Sequence, residues 1–255
     1  MNKLIIGNLK MNLLSALERD RYFNNFKQEA AGKRIKNAKI VICPPAVHLE
    51  AFQELKRKNV FLGAQNIFWE RSGSFTGEVS PGMVKNLGAD FVILGHSERR
   101  RYFCENNQEI NLKIGAALKN GLKPILCVGE NEEQKENGIL AIVEQLDGCL
   151  RKISRVKIED IIICYEPVWA ISSNNPDHLP TTNEIMSARL LIKKFLVEKY
   201  GVKIAEKTNI IYGGSVDAKN VGEVCLDPGM DGVLVGKESL TPYEFIKIAK
   251  IIDQN

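Results

Sequence analysis

With 255 residues, 44% of them hydrophobic and 26% charged, the chain can bury a sizeable core and lies outside the composition of disordered proteins. Its 35 basic and 31 acidic residues leave a formal net charge of only +4, with Lys and Arg scattered among acids, as from Glu54 to Lys58. That balance argues against a nucleic-acid partner, and apolar stretches of only a few residues, such as 91–94, argue against a membrane span, which needs roughly 18.

The segment from Met1 to Asn8 holds one Lys and too short an apolar stretch for a signal peptide, so a cytoplasmic protein is expected. Along the chain, short β-branched runs recur at 4–6, 39–43, 60–64, 91–94, 124–128, 161–165, 209–212 and 232–235. Past Lys39 and Asn209, which open two of them, the runs are continuously apolar rather than alternating, the pattern of a parallel strand covered on both faces. Between them the apolar period becomes helical. Ile110, Ile114 and Leu118 precede Gly121; Ala188, Leu191, Ile192, Phe195 and Leu196 precede Gly201; and Phe245, Ile248, Ala249 and Ile252 follow the last run.

A strand and a helix repeated eight times, with no linker between them, predict one α/β domain over residues 1–255, a closed (β/α)8 barrel. The alternative, an open doubly wound sheet, lacks a G-x-G-x-x-G turn after any run. The stretch from Asp231 to Ser239 is no P-loop either, because Glu238 follows Lys237 where Ser or Thr is required. Six cysteines, at 43, 104, 127, 149, 164 and 225, form no C-x-x-C pair and no metal-ligand spacing with His48, His96 or His178. They read as small structural thiols, and no metal is expected.

Barrel enzymes carry their chemistry at the C-terminal ends of the strands. Here those positions hold Asn8 and Lys10, Gln65 and Asn66, His96 and Glu98, Glu166, Gly213-Gly214-Ser215, and Gly236-Lys237. Glu166 is a candidate base, His96 can polarise a carbonyl, and Lys10 is a fixed cation beside the neutral Asn8. The glycines around Ser215 and Gly236 let backbone N–H groups converge on a phosphate. A base, an electrophile, a cation and a phosphate cradle fit cofactor-free proton abstraction beside a carbonyl in a small phosphorylated substrate, through an enediolate. The rivals are a Schiff-base aldolase with Lys10 as nucleophile, and a weakly active or inactive relative kept as a binding protein.

Asn8-Leu-Lys-Met-Asn12, Gly95-His-Ser-Glu-Arg-Arg100, Tyr165-Glu-Pro-Val-Trp-Ala-Ile171 and Tyr212-Gly-Gly-Ser-Val216 occur in the order found in one family, with Gly77-Glu78 and Cys127-Val-Gly-Glu130 between them. Over essentially its whole length the chain resembles the triosephosphate isomerases. The resemblance implies interconversion of dihydroxyacetone phosphate and D-glyceraldehyde 3-phosphate without a cofactor, in glycolysis and gluconeogenesis. It makes Glu166 the base, His96 the neutral electrophile, Lys10 the stabilising cation with Asn8 beside it, and Glu98 the residue that orients Lys10 or relays protons. Substrate contacts are expected from Asn8, Leu9 and Lys10, and from the backbone N–H groups of Ser172, Ser215, Gly236 and Lys237.

The resemblance also implies a homodimer in which the loop from Asn66 to Ser80, with Phe68, Trp69 and Phe75, enters the neighbour, Thr76 and Glu78 matching the tip. The chain departs from the family pattern after strand 6, where Ser172, Ser173, Asn174, Asn175 and Pro176 replace a Gly-Thr-Gly-Lys lid. It departs again at Leu9, Leu13 and Lys237.

Overall fold

Strands with successive apolar residues need two apolar coverings, and the computed structural model shows both. It describes residues 3–31, 35–135, 138–171 and 178–255. Eight strands, β1 (Lys3–Asn8), β2 (Ala38–Cys43), β3 (Val60–Ala64), β4 (Phe91–Leu94), β5 (Lys123–Val128), β6 (Ile162–Tyr165), β7 (Ile210–Tyr212) and β8 (Gly232–Val235), pair in sequence order into a closed barrel. All pairings are parallel. The barrel closes where β1 meets β8, with Leu4 opposite Gly232 and Gly7 opposite Val235.

Successive strand side chains point to opposite faces, so each strand feeds two cores. Leu4, Ile6, Val41, Ile93, Ile125 and Leu234 fill the interior together with Cys43, Cys127 and Cys164. Ile5, Ile40, Ile42, Val92 and Leu126 face the surrounding helices instead. Full burial of each such aliphatic side chain stabilises the fold by roughly 1.5–3 kcal/mol relative to exposure. Cys43, Cys127, Cys149, Cys164 and Cys225 are buried free thiols; Cys104 differs in being exposed.

The outer layer contains α1 (Ala16–Ala30), α2 (Pro81–Asn86), α3 (Ser97–Tyr102), α4 (Asn107–Lys119), α5 (Gly138–Cys149), α6 (Thr182–Tyr200), α7 (Val202–Lys207) and α8 (Pro242–Gln254). Capping boxes, Asn106 with Glu109 and Thr181 with Glu184, start α4 and α6. Past the end of α4, Gly121 takes the left-handed φ of +70° that releases the chain from the helix. Ile110 and Ile114, and Phe245, Ile248, Ala249 and Ile252, are buried as their spacing predicts.

One expectation is corrected. The crossover from β2 to β3 contains only 3₁₀ turns, Ala46–His48 and Ala51–Leu55, and that from β7 to β8 a π-helical turn, Gly222–Leu226. These are the two shortest connections in the barrel, and Pro44 and Pro45 further restrict the first of them. Phe52 and Leu55, or Val224 and Cys225, cover the strands there in place of a full helix.

Candidate active site

After β1 the chain enters two left-handed backbone conformations that side-chain-bearing residues rarely adopt, Lys10 at φ +51° and Leu13 at φ +65°. Three residues hold this loop. Asn8 Oδ1 accepts the Lys10 N–H at 3.1 Å, and the Gln65 amide, just past β3, donates to both Lys10 O and Cys43 O at 2.9 Å. His48 Nε2 lies 2.7 Å from Leu13 O, so that nitrogen carries a proton and donates it. Thus fixed, Lys10 extends its Nζ to 2.5 Å from Glu98 Oε1 and runs its stem past Gly236, where a Cβ would lie 3.6 Å from Lys10 Cε.

His96 caps α3, its Nδ1 accepting the Glu98 N–H at 3.2 Å. A nitrogen that accepts cannot also hold a proton, so the neutral ring carries its proton on Nε2. Nε2 lies 3.0 Å from Glu166 Oε1, and Glu166 Oε2 accepts the Ser97 N–H at 3.1 Å. Both side chains are almost wholly buried, with His96 at 5% and Glu166 at 2% exposure.

Burial is the largest influence on each member of this pair and disfavours its charged form, but their mutual contact outweighs it. Burial lowers the His96 pKa, while the Glu166 charge and hydrogen bond, with a smaller push from Glu98, carry it above the ordinary value. Burial raises the Glu166 pKa, while His96, the Ser97 N–H and Lys10 bring it below the usual carboxylate range. Separating the two would leave His96 chiefly under burial, which favours neutral imidazole, with the smaller and opposed pushes of the Glu98 and Lys10 charges beside it.

Asn8, Lys10, His96, Glu98 and Glu166 thus meet at one mouth. The predicted phosphate contacts stand differently. Ser215 directs both its N–H, at 3.1 Å, and its hydroxyl, at 2.9 Å, to Ala170 O. Lys237 is exposed and opens the 3₁₀ turn Lys237–Leu240. Leu9 is fully buried, its N–H bonded to Cys43 O and its carbonyl accepting from Asn12, so it presents no polar group to a ligand in this conformation. Ser172 and the altered segment through Pro176 lie outside the described residues. Among the described residues, no group of three or more His, Cys, Asp or Glu is placed to hold a metal ion, and no helix is long and apolar enough to cross a membrane.

A family model described as triosephosphate isomerase matches residues 3–252. The chain belongs to the triosephosphate isomerase family. Similar proteins named triosephosphate isomerase include that of Dictyoglomus thermophilum, 42% identical across 97% of this chain and 98% of the relative. That of Alkaliphilus oremlandii is 39% identical across 96% and 97%, and that of Carboxydothermus hydrogenoformans 43% identical across 86% and 87%.

The site also depends on residues to which strand-end reasoning gave no role. Gln65 stands among the rim residues, but nothing in its position announces that it pins the loop of Lys10. Gly129 lies against the backbone of Glu166, where a Cβ would come within 2.0 Å of the Glu166 carbonyl oxygen. Ser239, fully buried, donates to Asn8 O at 3.2 Å and Gly236 O at 2.6 Å, joining the two ends of the barrel beneath the mouth. Its cue in the sequence is a hydroxyl shortly after the last strand, a weak one taken alone.

Proposed function

We propose that this chain interconverts dihydroxyacetone phosphate and D-glyceraldehyde 3-phosphate through an enediolate, as a cofactor-independent isomerase of glycolysis and gluconeogenesis. The observation that carries the reading is the buried contact of Glu166 with the Nε2–H of His96, beside the Lys10–Glu98 pair. In this conformation the base and the electrophile satisfy each other, so substrate acts by parting them. Its carbonyl oxygen takes the Nε2–H, and the freed Glu166 carboxylate removes a proton from the neighbouring carbon. The C–H electron pair forms the carbon–carbon double bond, and the carbonyl pair moves to oxygen, where His96 and Lys10 meet the charge. Transfer of the hydroxyl proton from the first oxygen to the second, at the Nε2 of His96, and return of the carbon-bound proton from Glu166 to the other carbon complete an isomerisation with no net redox change.

The phosphate is assigned to the N–H groups of Gly236 and Lys237, with Ser172 and Ser215 completing the cradle. For Ser215 this requires its N–H to exchange Ala170 O for a phosphate oxygen. Asn8 acts by fixing the Lys10 backbone, and Glu98 by aiming its ammonium. The aldolase reading is disfavoured by the same contact, since an ammonium held on a carboxylate at 2.5 Å has no lone pair for attack. A coupled assay with either triose phosphate tests the proposal: Glu166→Gln should lose about 10²- to 10⁴-fold in kcat. Undiminished turnover in that variant, or none in the folded parent, would defeat it.

The working unit is proposed to be a homodimer in the cytoplasm. Phe68 stacks on Trp69 and meets Phe75 at a tilt, with centroids 4.0 and 4.5 Å away, stiffening the loop from Asn66 to Ser80. Phe75 remains exposed at its end, and Met11, Leu14, Val47 and Tyr102 are exposed apolar residues for which a second copy is the natural cover. Free thiols at all six cysteines suit a reducing compartment. Phe75→Glu should shift sedimentation to the monomer and lower activity together; a fully active monomer would overturn the assignment.

A further inference from the structure

The modest positive charge of the chain becomes uneven once it is folded. A surface groove of about 890 Å³ runs between α4, the segment that follows α5, and the base of the loop after β3. Arg71, Lys119, Arg151, Lys152 and Lys157 line it against a single acid, Glu70. Five cations against one anion equal the formal excess of the whole chain, +4, so the rest of the molecule is close to neutral.

These cations come from three parts of the sequence and are brought together only by packing. The Asn111 amide bonds Cys149 O at 2.7 Å and Arg151 O at 2.8 Å, which ties the face of α4 to the chain leaving α5. Lys152 sits there in a left-handed turn at φ +59°. Among the described residues, Arg71, Lys119, Arg151 and Lys152 form no ion pair, while Lys157 is partnered by Asp160 at 3.5 Å. The negative ends of helix dipoles account for basic residues near the ends of α4 and α5, such as Lys119 and Arg151. They do not account for Arg71, Lys152 and Lys157 facing the same space. The remaining wall is apolar and aromatic, with Leu112, Ile153 and Trp69.

We propose that this groove binds an oligophosphate, a chain of several linked phosphates, either free or carried by a nucleoside whose base lies on Trp69. A single phosphate would neutralise only part of the cluster, whereas a phosphate chain lying along the groove meets cations on both of its sides. Trp69 and Arg71 stand at the near end of the loop assigned to the dimer contact, whose tip is Phe75 to Glu78, and Lys119, Arg151, Lys152 and Lys157 lie outside that loop. None of the groove residues belongs to the mouth that holds Glu166 and His96, so binding here is independent of the proposed isomerase chemistry.

The test is titration of the intact protein with inorganic tripolyphosphate and, separately, with adenosine triphosphate, followed by calorimetry and tryptophan fluorescence. Saturable binding is expected for one or both. It should weaken at least about tenfold as salt rises from about 0.05 M to about 0.5 M and the screening length shortens to a few ångströms. The double variant R151E/K152E, altered only at exposed positions, should lose at least about tenfold in affinity while its isomerase kcat is unchanged. Lys119→Glu, on a separate element, is the second variant if the first does not fold. Tighter binding of adenosine triphosphate with quenching from Trp69 identifies a nucleoside source, and equal affinities identify the phosphate chain alone. Absence of saturation in the millimolar range overturns the proposal. So does an affinity that survives charge reversal, because the anion would then be held at the barrel mouth.

Discussion

Gly129→Ala tests how narrowly the base is positioned. A Cβ at Gly129 would lie 2.0 Å from Glu166 O and 2.5 Å from Glu166 C, about 1.4 Å short of the 3.4 Å at which ordinary contact begins. Gly129 cannot readily yield, because Gln145 of α5 accepts its N–H and donates to its carbonyl, both at 2.9 Å. The strain therefore falls on the Glu166 peptide, although the Glu166 N–H is itself bonded to Val128 O at 2.8 Å. Overpacking of this kind destabilises by about 1–3 kcal/mol, which in a chain of this size lowers Tm by several degrees. A displacement of about 1 Å at a reacting group reduces rate about 10²-fold, equivalent to about 2.7 kcal/mol of transition-state stabilisation. The coupled triose phosphate assay, run well below the new Tm, should show that loss in kcat with KM much less affected. Gly115→Ala, which meets no atom within 4 Å in the interior of α4, is the control, expected to keep full activity and gain up to about 1 kcal/mol. Parental kcat in Gly129→Ala would refute the claim that this contact sets the position of Glu166.

Glu105→Leu should destabilise by about 3–5 kcal/mol in denaturant titrations, because the buried Lys113 ammonium, 2.5 Å from Glu105 Oε1, loses its counter-charge; the Asn66 oxygen at 3.0 Å supplies only a neutral partner. Ser239→Ala should cost about 1–3 kcal/mol by removing the hydroxyl from Asn8 O, while Gly236 O keeps the residue 239 N–H at 3.0 Å, read from the same titrations. Glu184 is held below the usual carboxylate range, chiefly by the Thr181 N–H it accepts. Since its folded pKa is the lower one, its contribution is present above about pH 4.5 and fades as pH falls through the folded value. Thr181→Ala keeps that N–H but removes the hydroxyl that accepts the Glu184 N–H and donates to its carboxylate, so it should lower stability by about 0.5–2 kcal/mol, with only the hydroxyl–carboxylate share of the loss fading in acid, as a pH series of melting curves will show.

The strands could be read because each lies between two apolar layers, which makes Ile40, Val41 and Ile42 apolar in succession with no polar interruption. The rim could be read because a parallel barrel delivers every strand end to one mouth, so Asn8, His96 and Glu166 announce themselves by position. What stayed hidden depends on pairs distant in sequence. The Gln65 amide reaches back to Lys10, and Gln145 clamps Gly129, yet neither has a local pattern that marks its partner. The missing helices in two crossovers reflect connection length, a quantity that periodicity does not measure. The basic groove was invisible for a related reason, since Arg71, Lys119 and Arg151 look dispersed until α4 and its neighbours pack.

The seam between β1 and β8 also sets a schedule for synthesis. Lys10 leaves the ribosome well ahead of Gly236 and Ser239, which flank it and its strand in the finished barrel and follow it by nearly the whole length of the domain. At about 5–20 residues per second, the nascent chain waits on the order of ten seconds or more with β1 lacking one neighbour. Until α8 has been made, Ile5 and Ile6 can be covered on one side only, which gives nascent-chain chaperones a defined interval and a defined edge to protect. Truncation before Gly232 would thus remove the first strand's partner as well as the last helix.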